Sequence, residues 1–574
     1  MDGNNLFRMN FRKISTFFAA AAVIVIMAAC GEKDPNQDPD PDPNENTESV
    51  INGTIIQEGN NLVGLIKDGT TGKGIPGVPV TDGFKYVKTD ANGVYQMTAA
   101  AYCRNVYYSL PAGYEVSTSS SSPSKPVFFS TSKIDRAVVN RNDFTLTPRK
   151  SSDGKFTLLM IGDPQCKTDG DVLRWKSETI PDIQQTLASG DYGDAYAITL
   201  GDITFDNTVQ WPAMVSSMSR VQIGTDKYLP FFNCIGNHDH DASALNDFNS
   251  TKNFVDAFGP TDYSFNIGKA HMIVMDDIIV TESSGSTWSY NGGFTAAQLN
   301  WLNEDLLQVA DKSDKLVIFC AHIPLRSEKG NNYQEVLNLL TQFKEAHVMI
   351  GHTHYHQNYI HPLKAAGGQN IYEHIHGAAC GAWWASNSNV TGAPNGYSIY
   401  RIEGNQIVDW VAKGTNKPLD EQMRVYDGNQ VYYEEGRFPL VWNKASQTAG
   451  SANITIKGNT NFKDSFVAEV FNDDGANWTV ELYQNGTKIG NFTRVPDKSS
   501  TNVAASAYYF NVKNKNTTTW SNTTASHYWY YKPASGNPSS ETGWEVRATQ
   551  TIPSSGKKNV YSCATLTTNL DTTF

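Results

Sequence analysis

The chain has 574 residues, a formal net charge of −12 at pH 7, 39% hydrophobic residues and 11% aromatic residues. At roughly 150 residues per domain, this length predicts three or four domains, and the apolar content excludes wholesale disorder. The acidic balance without a cluster of Lys and Arg argues against a nucleic-acid-binding protein, and seven cysteines are too few for a disulfide scaffold.

The N-terminus has the form of an export signal. Three basic residues within positions 8–13 precede an apolar run at residues 14–29, which is short for a membrane span. The small residues directly before Cys30 resemble the processing site of bacterial lipoproteins. This resemblance implies that residues 1–29 are a lipoprotein signal peptide and that Cys30 carries the lipid. The alternative is a single signal-anchor helix.

An acidic, Pro-rich tether follows at residues 30–49. Asp-Pro repeats cannot bury a core and should stay extended. Acidic residues just after the lipidated Cys resemble the surface-export signals of Bacteroidetes lipoproteins. We therefore expect an extracytoplasmic protein with a lipid anchor in a membrane, at the outer membrane or cell surface, and the periplasmic face remains an alternative.

Two regions of the chain have the pattern of β-sandwiches. Residues 50–149 alternate short β-type runs with Gly- and Asn-containing turns, which is typical of a small sandwich. Residues 425–574 are rich in Thr, Asn, Tyr and Trp and contain the hairpin signal Asn485-Gly486. The sequence predicts an all-β, sandwich-like domain at each of these places.

The middle region, residues 153–413, alternates apolar strands with helical patterns, which is typical of an α/β domain. Thr295 is a predicted N-cap of a helix that carries Leu299, Leu302 and Leu306 on one face. The predicted architecture is thus an α/β (α+β sandwich) domain flanked by two all-β domains.

Five apolar runs of this middle region end in residues suited to holding metal ions. These residues are Asp163 and Gln165, then Asp202, then Asn237 with His238, then His322, and finally His352 and His354. The first three motifs are far enough apart for a strand–helix–strand unit between each pair. Such strands are most simply parallel, and their polar ends would gather at the carboxyl edge of the sheet.

The donor set suggests which metals would bind. Two carboxylates, two carboxamides and three imidazoles, without thiolate, suit Mn, Fe or Zn. Seven donors exceed the need of one ion and suit two divalent ions that share a bridging carboxylate. Their combined charge favours a phosphate and lowers the pKa of a bound water. A lone His after a strand is usually a core or loop residue, so the prediction depends on the whole set.

The order Asp-x-Gln, Gly-Asp, Gly-Asn-His-Asp, His and Gly-His-x-His resembles the calcineurin-like metallophosphoesterase superfamily. The resemblance implies that one metal is held by Asp163, Gln165 and His354, the other by Asn237, His322 and His352, and that Asp202 bridges them. It also implies that His238 faces the scissile phosphate as a catalytic residue. The nucleophile would be a hydroxide held by the two metals.

Some positions depart from the usual pattern or extend it. Gln165 stands where the superfamily commonly has His, and an amide oxygen is a weaker ligand. Asp206 is shifted by one position from a common second Asp, so it either supports the site or is a solvated loop carboxylate. The order of the three domains resembles that of Bacteroidetes lipoproteins in which a phosphoesterase lies between β domains. We expect Trp383, Trp384 and residues 392–397 to line the substrate cleft, and the alternative is that the two tryptophans are core or domain-interface residues.

The predicted function is a metal-dependent phosphoesterase that hydrolyses phosphoric mono- or diesters. The motifs are common to both reactions and do not choose between them. The alternative is a surface lipoprotein that binds glycan or protein and carries an inactive phosphoesterase-like domain. An inactive member should have lost a ligand, whereas all seven positions here carry a competent donor. The expected partners are therefore a phosphate-ester substrate and the membrane lipid, and not nucleic acid.

Overall fold

In the computed structural model, the described residues are 49–150, 154–206, 208–244, 246–281, 289–326, 330–380, 387–389, 391–431, 460–497, 500–501 and 524–568. The predicted signal peptide, Cys30 and nearly all of the tether lie outside them, as do Trp383 and Trp384. Within the described residues, no helix combines the length and apolar character needed to cross a bilayer.

The N-terminal region is built from short strands. They are β1 (Val50–Ile51), β2 (Thr54–Ile55), β3 (Leu62–Asp68), β4 (Pro79–Thr81), β5 (Tyr86–Lys88), β6 (Val94–Met97), β7 (Tyr107–Tyr108), β8 (Asn140–Arg141) and β9 (Phe144–Leu146). β3 pairs with β6, β8 and β9, while β4 lies between β5 and β7. Leu62 and Ile66 of one sheet share a core with Val80 and Tyr108 of the other. The predicted β domain is confirmed.

The central region contains two sheets. Its strands are β10 (Lys155–Ile161), β11 (Asp194–Leu200), β12 (Phe231–Cys234), β13 (Tyr263–Ile267), β14 (Ala270–Val274), β15 (Ile278–Thr281), β16 (Ser289–Gly292), β17 (Leu316–Cys320), β18 (Glu345–Ile350), β19 (Gln357–Lys364), β20 (Asn370–Ile375), β21 (Gly396–Glu403) and β22 (Gln406–Gly414). One sheet has the order β12-β11-β10-β21-β22 and the other β13-β14-β17-β18-β20-β19. β15 and β16 form a separate hairpin.

The five strands that end in metal-type motifs are divided between these sheets. β10, β11 and β12 are parallel in the first sheet, whereas β17 and β18 are parallel in the second. Leu158 and Leu200 of the first sheet pack in one core with Ile318 and Val348 of the second. The predicted α/β domain is confirmed, but its motifs come from two facing sheets and not from one open sheet.

Helices cover the outer faces. They are α1 (Asp169–Arg174), α2 (Ile180–Ser189), α3 (Trp211–Met218), α4 (Asp247–Ser250), α5 (Lys252–Phe258), α6 (Ala296–Gln308) and α7 (Tyr333–Leu340). A wider helical turn, Trp175–Thr179, joins α1 to α2. α6 begins at the predicted N-cap Thr295, whose side chain accepts from Gln298 N, and it buries Leu302 and Leu306. The helix predicted from the leucine spacing is therefore confirmed.

The C-terminal region is a β-sandwich. It contains α8 (Gly428–Val431) and the strands β23 (Met423–Asp427), β24 (Phe466–Val470), β25 (Trp478–Gln484), β26 (Thr487–Asn491), β27 (Thr493–Arg494), β28 (Ser500–Thr501), β29 (Thr524–Ala525), β30 (Tyr528–Tyr531), β31 (Trp544–Thr551) and β32 (Lys558–Cys563). Two antiparallel sheets, β23-β24-β30-β27 and β26-β25-β31-β32, enclose Phe466 and Val546. The predicted turn at Asn485-Gly486 joins β25 to β26 with both φ angles positive.

Candidate metal centre

The loops after the motif strands adopt an unusual backbone conformation. Among the described residues, twelve that are not Gly have φ in the left-handed region. Half of them lie in these loops, namely Asp163, Gln165, Asp202, Asp206, His352 and His354. Such residues cost about 1–3 kcal/mol each and persist where the surrounding structure imposes them, most often at functional sites. The concentration of strain marks this edge of the two sheets as a site.

Three glycines allow the loops to converge. Gly201, Gly236 and Gly351 each stand directly before a predicted ligand. A Cβ on Gly236 would lie 2.4 Å from Asp202 Oδ1, and one on Gly201 would lie 2.4 Å from His322 Nδ1. A Cβ on Gly351 would lie 2.8 Å from Asp163 Oδ2. Because real Cβ atoms do not approach so closely, glycine is required at each of these positions.

Asn237, His322 and His352 form one group of donors. Asn237 Oδ1 is 3.1 Å from His322 Nε2 and 3.0 Å from His352 Nδ1, and the two imidazole nitrogens are 3.2 Å apart. His322 Nδ1 donates to the Leu200 carbonyl at 2.7 Å, which leaves Nε2 as the atom with a lone pair. With metal–ligand bonds of about 2.0–2.2 Å, neighbouring ligand atoms lie roughly 3 Å apart. The three side chains therefore fit one ion.

Asp163 and His354 form a second group, and Asp202, which also contacts Gln165, lies between the two groups. Asp163 Oδ1 accepts from His352 N at 3.0 Å and is 3.5 Å from His354 Nε2. Asp163 Oδ2 is buried and has no hydrogen-bond partner in the described part of the chain. A buried carboxylate oxygen without a donor is costly, and a cation would satisfy it.

Asp202 has the position of a bridge. Its Oδ1 is 3.4 Å from His322 Nε2, and its Oδ2 accepts from Gln165 Nε2 at 2.9 Å. Asp163, Asp202 and His322 offer ligand atoms that all lie within 4.8 Å of one another. The structure therefore contains a buried Asp/Asp/His candidate metal site at the place the sequence predicted. That all seven side chains ligate metal stays a prediction.

His238 lies beside the two groups with its ring held on two sides. Its Nδ1 donates to Asp206 Oδ1 at 2.7 Å, and its ring stacks on Phe205 with centroids 4.2 Å apart. Its backbone N–H donates to Asp202 Oδ1 at 2.9 Å. This arrangement leaves Nε2 as the nitrogen that would meet a substrate. Asp206 is thus the partner of His238, whereas Phe205 was not anticipated from the sequence.

Two further carboxylates shape the site and were missed by sequence reasoning. Asp239 accepts from the backbone N–H groups of Ile203, Thr204 and Gly236 at 2.9–3.1 Å and so ties two of the loops together. Asp277 accepts from His322 N at 3.1 Å and thereby holds that segment in place. Both follow apolar strands, but that signal is common to many loop carboxylates.

The charges of the side chains at this site are unevenly distributed. Burial opposes the charge on Asp202, but His322 and other neighbours hold its pKa below the usual range. Burial alone would lower the pKa of His322, whereas Asp202 and Asp163 beside it raise it to about 10. Burial, together with His322, lowers the pKa of His352 to about 3. Asp202 and Asp163 thus stabilise positive charge at the position of His322, as they would stabilise a divalent ion.

The segment 392–397 does not line an open cleft as we expected. Ala393, Asn395 and Tyr397 are buried. The Tyr397 hydroxyl donates to Asp182 Oδ2 at 2.9 Å, beneath the first sheet. The reason is that β21, which begins at Gly396, is an inner strand of that sheet. These three residues therefore belong to the core, whereas Trp383 and Trp384 lie outside the described residues.

Comparison with known proteins agrees with this geometry. Residues 156–356 match the family model of the calcineurin-like phosphoesterase, residues 60–149 match that of its N-terminal region, and residues 373–554 match that of its C-terminal region.

Two curated relatives are similar over a short stretch. They are the manganese-dependent ADP-ribose/CDP-alcohol diphosphatases of Mus musculus and Arabidopsis thaliana, each 35% identical over 72 residues. The match covers 11% of this chain and 21% and 23% of those proteins, so this chain spans about a fifth of the length of either relative. The family matches and the geometry together identify residues 156–356 as a calcineurin-like phosphoesterase domain, flanked in the same chain by the N-terminal and C-terminal regions of that family.

Proposed function

We propose that this protein is a hydrolase of phosphoric esters that works with two divalent metal ions. The observation that supports this most directly is the buried cluster of Asp163, Asp202 and His322, whose ligand atoms lie within 4.8 Å of one another. Each of the other four predicted ligands contacts a member of this cluster. The donors fit Mn, Fe or Zn because they include carboxylate, amide and imidazole but no thiolate. Bound there, the ions would activate a water and neutralise the charge of the phosphate.

The side chains of this chain would then act as follows. His322 is fixed in one tautomer by the Leu200 carbonyl, so its Nε2 is ready to ligate. His238 presents Nε2 beside the metal groups, where it would stabilise charge on the phosphoryl group or protonate the leaving oxygen. Asp206 and Phe205 hold that ring in place.

The choice of substrate among phosphoric compounds depends on groups beyond the metal ligands. Monoesters and diesters are both compatible with the site. The similarity to diphosphatases adds phosphoric anhydrides as a third class to be assayed. The names of those relatives also make Mn the first metal to try.

The test uses a soluble chain from about residue 45, stripped of metal and reloaded separately with Mn, Fe, Co or Zn. Turnover of an aryl phosphate monoester, a bis-aryl diester and a nucleoside diphosphate ester is compared with that of Asp202→Asn. Loss of an outer partner of a ligand alone costs about 10–100-fold. Loss of the bridging ligand should therefore cost at least about 100-fold.

Asp191→Asn is the matched control, because Asp191 is an exposed carboxylate away from the metal groups. It should keep both metal content and turnover. Failure of the wild-type chain to bind metal, or bound metal with no turnover of any of the three substrates, would overturn the proposal. The inactive, ligand-binding alternative would then be favoured.

We also propose that the chain is anchored outside the cytoplasm through lipid on Cys30. The apolar run at 14–29 and the small residues before Cys30 support this. In cells, Cys30→Ala should move the protein from the detergent phase to the aqueous phase on detergent partitioning. An unchanged partition would contradict lipid anchoring at this residue.

A further inference from the structure

A cavity of about 310 Å³ lies between the N-terminal β region and the central domain. Its walls come from segment 82–107 on one side and segment 247–301 on the other. None of the seven predicted metal ligands lines it. The volume is at the lower end of the range of small-molecule sites. The cavity is thus large enough for a compact ligand and is distinct from the metal centre.

Aromatic side chains line this cavity from its rim to its base. Tyr102 is 65% exposed and Phe248 is 38% exposed, and their ring centroids lie 5.3 Å apart. Trp301 is only 1% exposed, and its indole N–H has no hydrogen-bond acceptor among the described residues. The rim therefore offers the exposed ring of Tyr102 and the part of Phe248 that Arg104 does not cover, and the base holds a buried, unsatisfied donor.

The cavity is also acidic. The carboxylates in its lining are Asp82, Asp247, Asp262 and Asp276. The single basic residue in the lining, Arg104, stacks 3.7 Å above the Phe248 ring and donates to Thr251 Oγ1 at 2.7 Å. Among the described residues, no Lys or Arg pairs with Asp247, Asp262 or Asp276, whereas Asp256, outside the lining, pairs with Lys252. The lining therefore carries four carboxyl groups against one guanidinium.

Neighbouring groups donate to all four carboxylates, and apart from His240 these donors are neutral. Asp82 and Asp262 accept on both oxygens, whereas Asp247 Oδ1 accepts from Val280 N at 2.7 Å. His240 Nε2 lies 3.4 Å from Asp276 Oδ1, and although burial opposes the charge, Asp276 raises the pKa of this imidazole. Carboxylates held together in a partly buried place are costly without a countercharge. A cationic ligand would supply that charge.

We propose that this cavity binds a small organic cation, a substituted ammonium with an apolar or aromatic body. The charged nitrogen would lie against Asp247, Asp262 and Asp276, and the body would pack on Trp301 and the rim rings. Aromatic faces and carboxylates together are the surroundings in which ammonium groups bind most favourably. The same negative field disfavours anions, so the phosphoric substrate of the metal centre does not fit here.

Calorimetric titration of the metal-loaded soluble chain tests the proposal. The probes are benzyltrimethylammonium, choline and 3,3-dimethylbutan-1-ol, which has the shape of choline without its charge. We expect saturable binding of both cations, with benzyltrimethylammonium the tighter. The neutral alcohol should bind at least about 10-fold more weakly than choline, a difference of about 1.4 kcal/mol. No saturable binding of either cation, or equal binding of choline and the alcohol, would overturn the proposal.

Variants assign the binding to this cavity. Asp262→Asn keeps an acceptor for Gln298 Nε2, which donates to Asp262 Oδ1 at 3.0 Å, and it should weaken benzyltrimethylammonium at least about 10-fold. Phe248→Ala, on the exposed rim, should also weaken the binding of benzyltrimethylammonium. Asp191→Asn is the matched control and should bind like the wild type. Unchanged affinity in Asp262→Asn and Phe248→Ala, with unchanged melting temperatures, would contradict the assignment.

The same titration on Asp202→Asn separates this inference from the proposed phosphoesterase function. Asp202 is not part of the cavity lining. Cation binding should therefore persist in this variant even where metal and turnover are lost. If cation binding disappears together with the metal while the melting temperature is kept, the cation binds at the metal centre and the inference is wrong.

Discussion

Gly351 shows how closely the loops of the metal centre approach one another. In Gly351→Ala, the new Cβ would lie 2.8 Å from both Asp163 Oδ2 and the Leu200 carbonyl oxygen. The Leu200 carbonyl belongs to the backbone of a buried strand and cannot move away easily, and the Asp163 carboxylate would have to shift. We expect reduced metal content and a loss of turnover of about 10–100-fold. Metal analysis and kcat on a fixed ester check this.

The control for this substitution is Gly113→Ala. Gly113 has no heavy atom within 4 Å of its added Cβ and does not have a left-handed φ. This variant should keep both metal and activity. Full metal content and full activity in Gly351→Ala would show that Asp163 does not need its present position.

His238 allows a test that separates catalysis from metal binding. Its ring is held by Asp206 and Phe205, and no proposed ligand depends on that ring. His238→Asn should keep its metals and lose about 10²–10⁴-fold in kcat. Asp206→Asn should lower kcat by a smaller factor, because this substitution only allows the His238 ring to rotate. Metal content and kcat are measured on the same samples. Loss of metal in His238→Asn would mean that the His238 ring is a metal ligand.

At the scale of elements, a buried ion pair joins helix α2 to the edge of the first sheet. Lys413 Nζ of β22 donates to both oxygens of Asp182 of α2 at 2.9 Å, and the two side chains are 7% and 8% exposed. Lys413→Met would leave Asp182 buried with an uncompensated charge. We expect a loss of about 3–5 kcal/mol in the free energy of unfolding, measured by denaturant titration.

A surface pair in the same sheet provides the comparison. Lys155 Nζ is 3.5 Å from Glu403 Oε2, and these side chains are 59% and 50% exposed. Lys155→Met should change the free energy of unfolding by no more than about 1 kcal/mol. Equal changes in the free energy of unfolding for the two substitutions would mean that the buried pair stabilises the fold no more than the exposed pair does.

At the scale of the whole molecule, the C-terminal sandwich is docked on the second sheet through buried polar contacts. His527 Nε2 donates to the His356 carbonyl at 2.7 Å, and Asn358 Nδ2 donates to Asn472 Oδ1 at 2.8 Å. Tyr372 donates its hydroxyl hydrogen to Asp474. Removal of the sandwich would leave these groups of the central domain without their partners.

A chain truncated to residues 150–415 should therefore melt several degrees lower than the full soluble chain. Lost partners for buried polar groups destabilise by about 1–3 kcal/mol each. Scanning calorimetry measures the difference, and turnover on a natural substrate shows whether the flanking regions shape the cleft. A truncated chain that melts at the same temperature would contradict this expectation, and full activity would exclude a role of the flanking regions in shaping the cleft.

The sequence by itself determined the class of the central domain, the flanking β regions and the side chains that meet at the candidate metal centre. Apolar runs that end in Gly and a polar residue are local patterns, and their physical cause is also local. A buried strand must be apolar, and the turn at its end is where a side chain can meet a ligand. The same holds for α6, since the Thr295 cap and the leucine spacing depend only on neighbours along the chain.

Only the tertiary structure decided which distant residues meet. The division of the five motif strands between two sheets, the contact of Asp206 with His238, the support of His322 by Asp277 and the burial of Tyr397 depend on packing between separate segments. The acidic, aromatic cavity is formed only when the N-terminal region packs on the central domain. The secondary-structure propensity of a local segment does not predict such contacts, because their free energy comes from the burial and pairing of groups that are far apart in the chain.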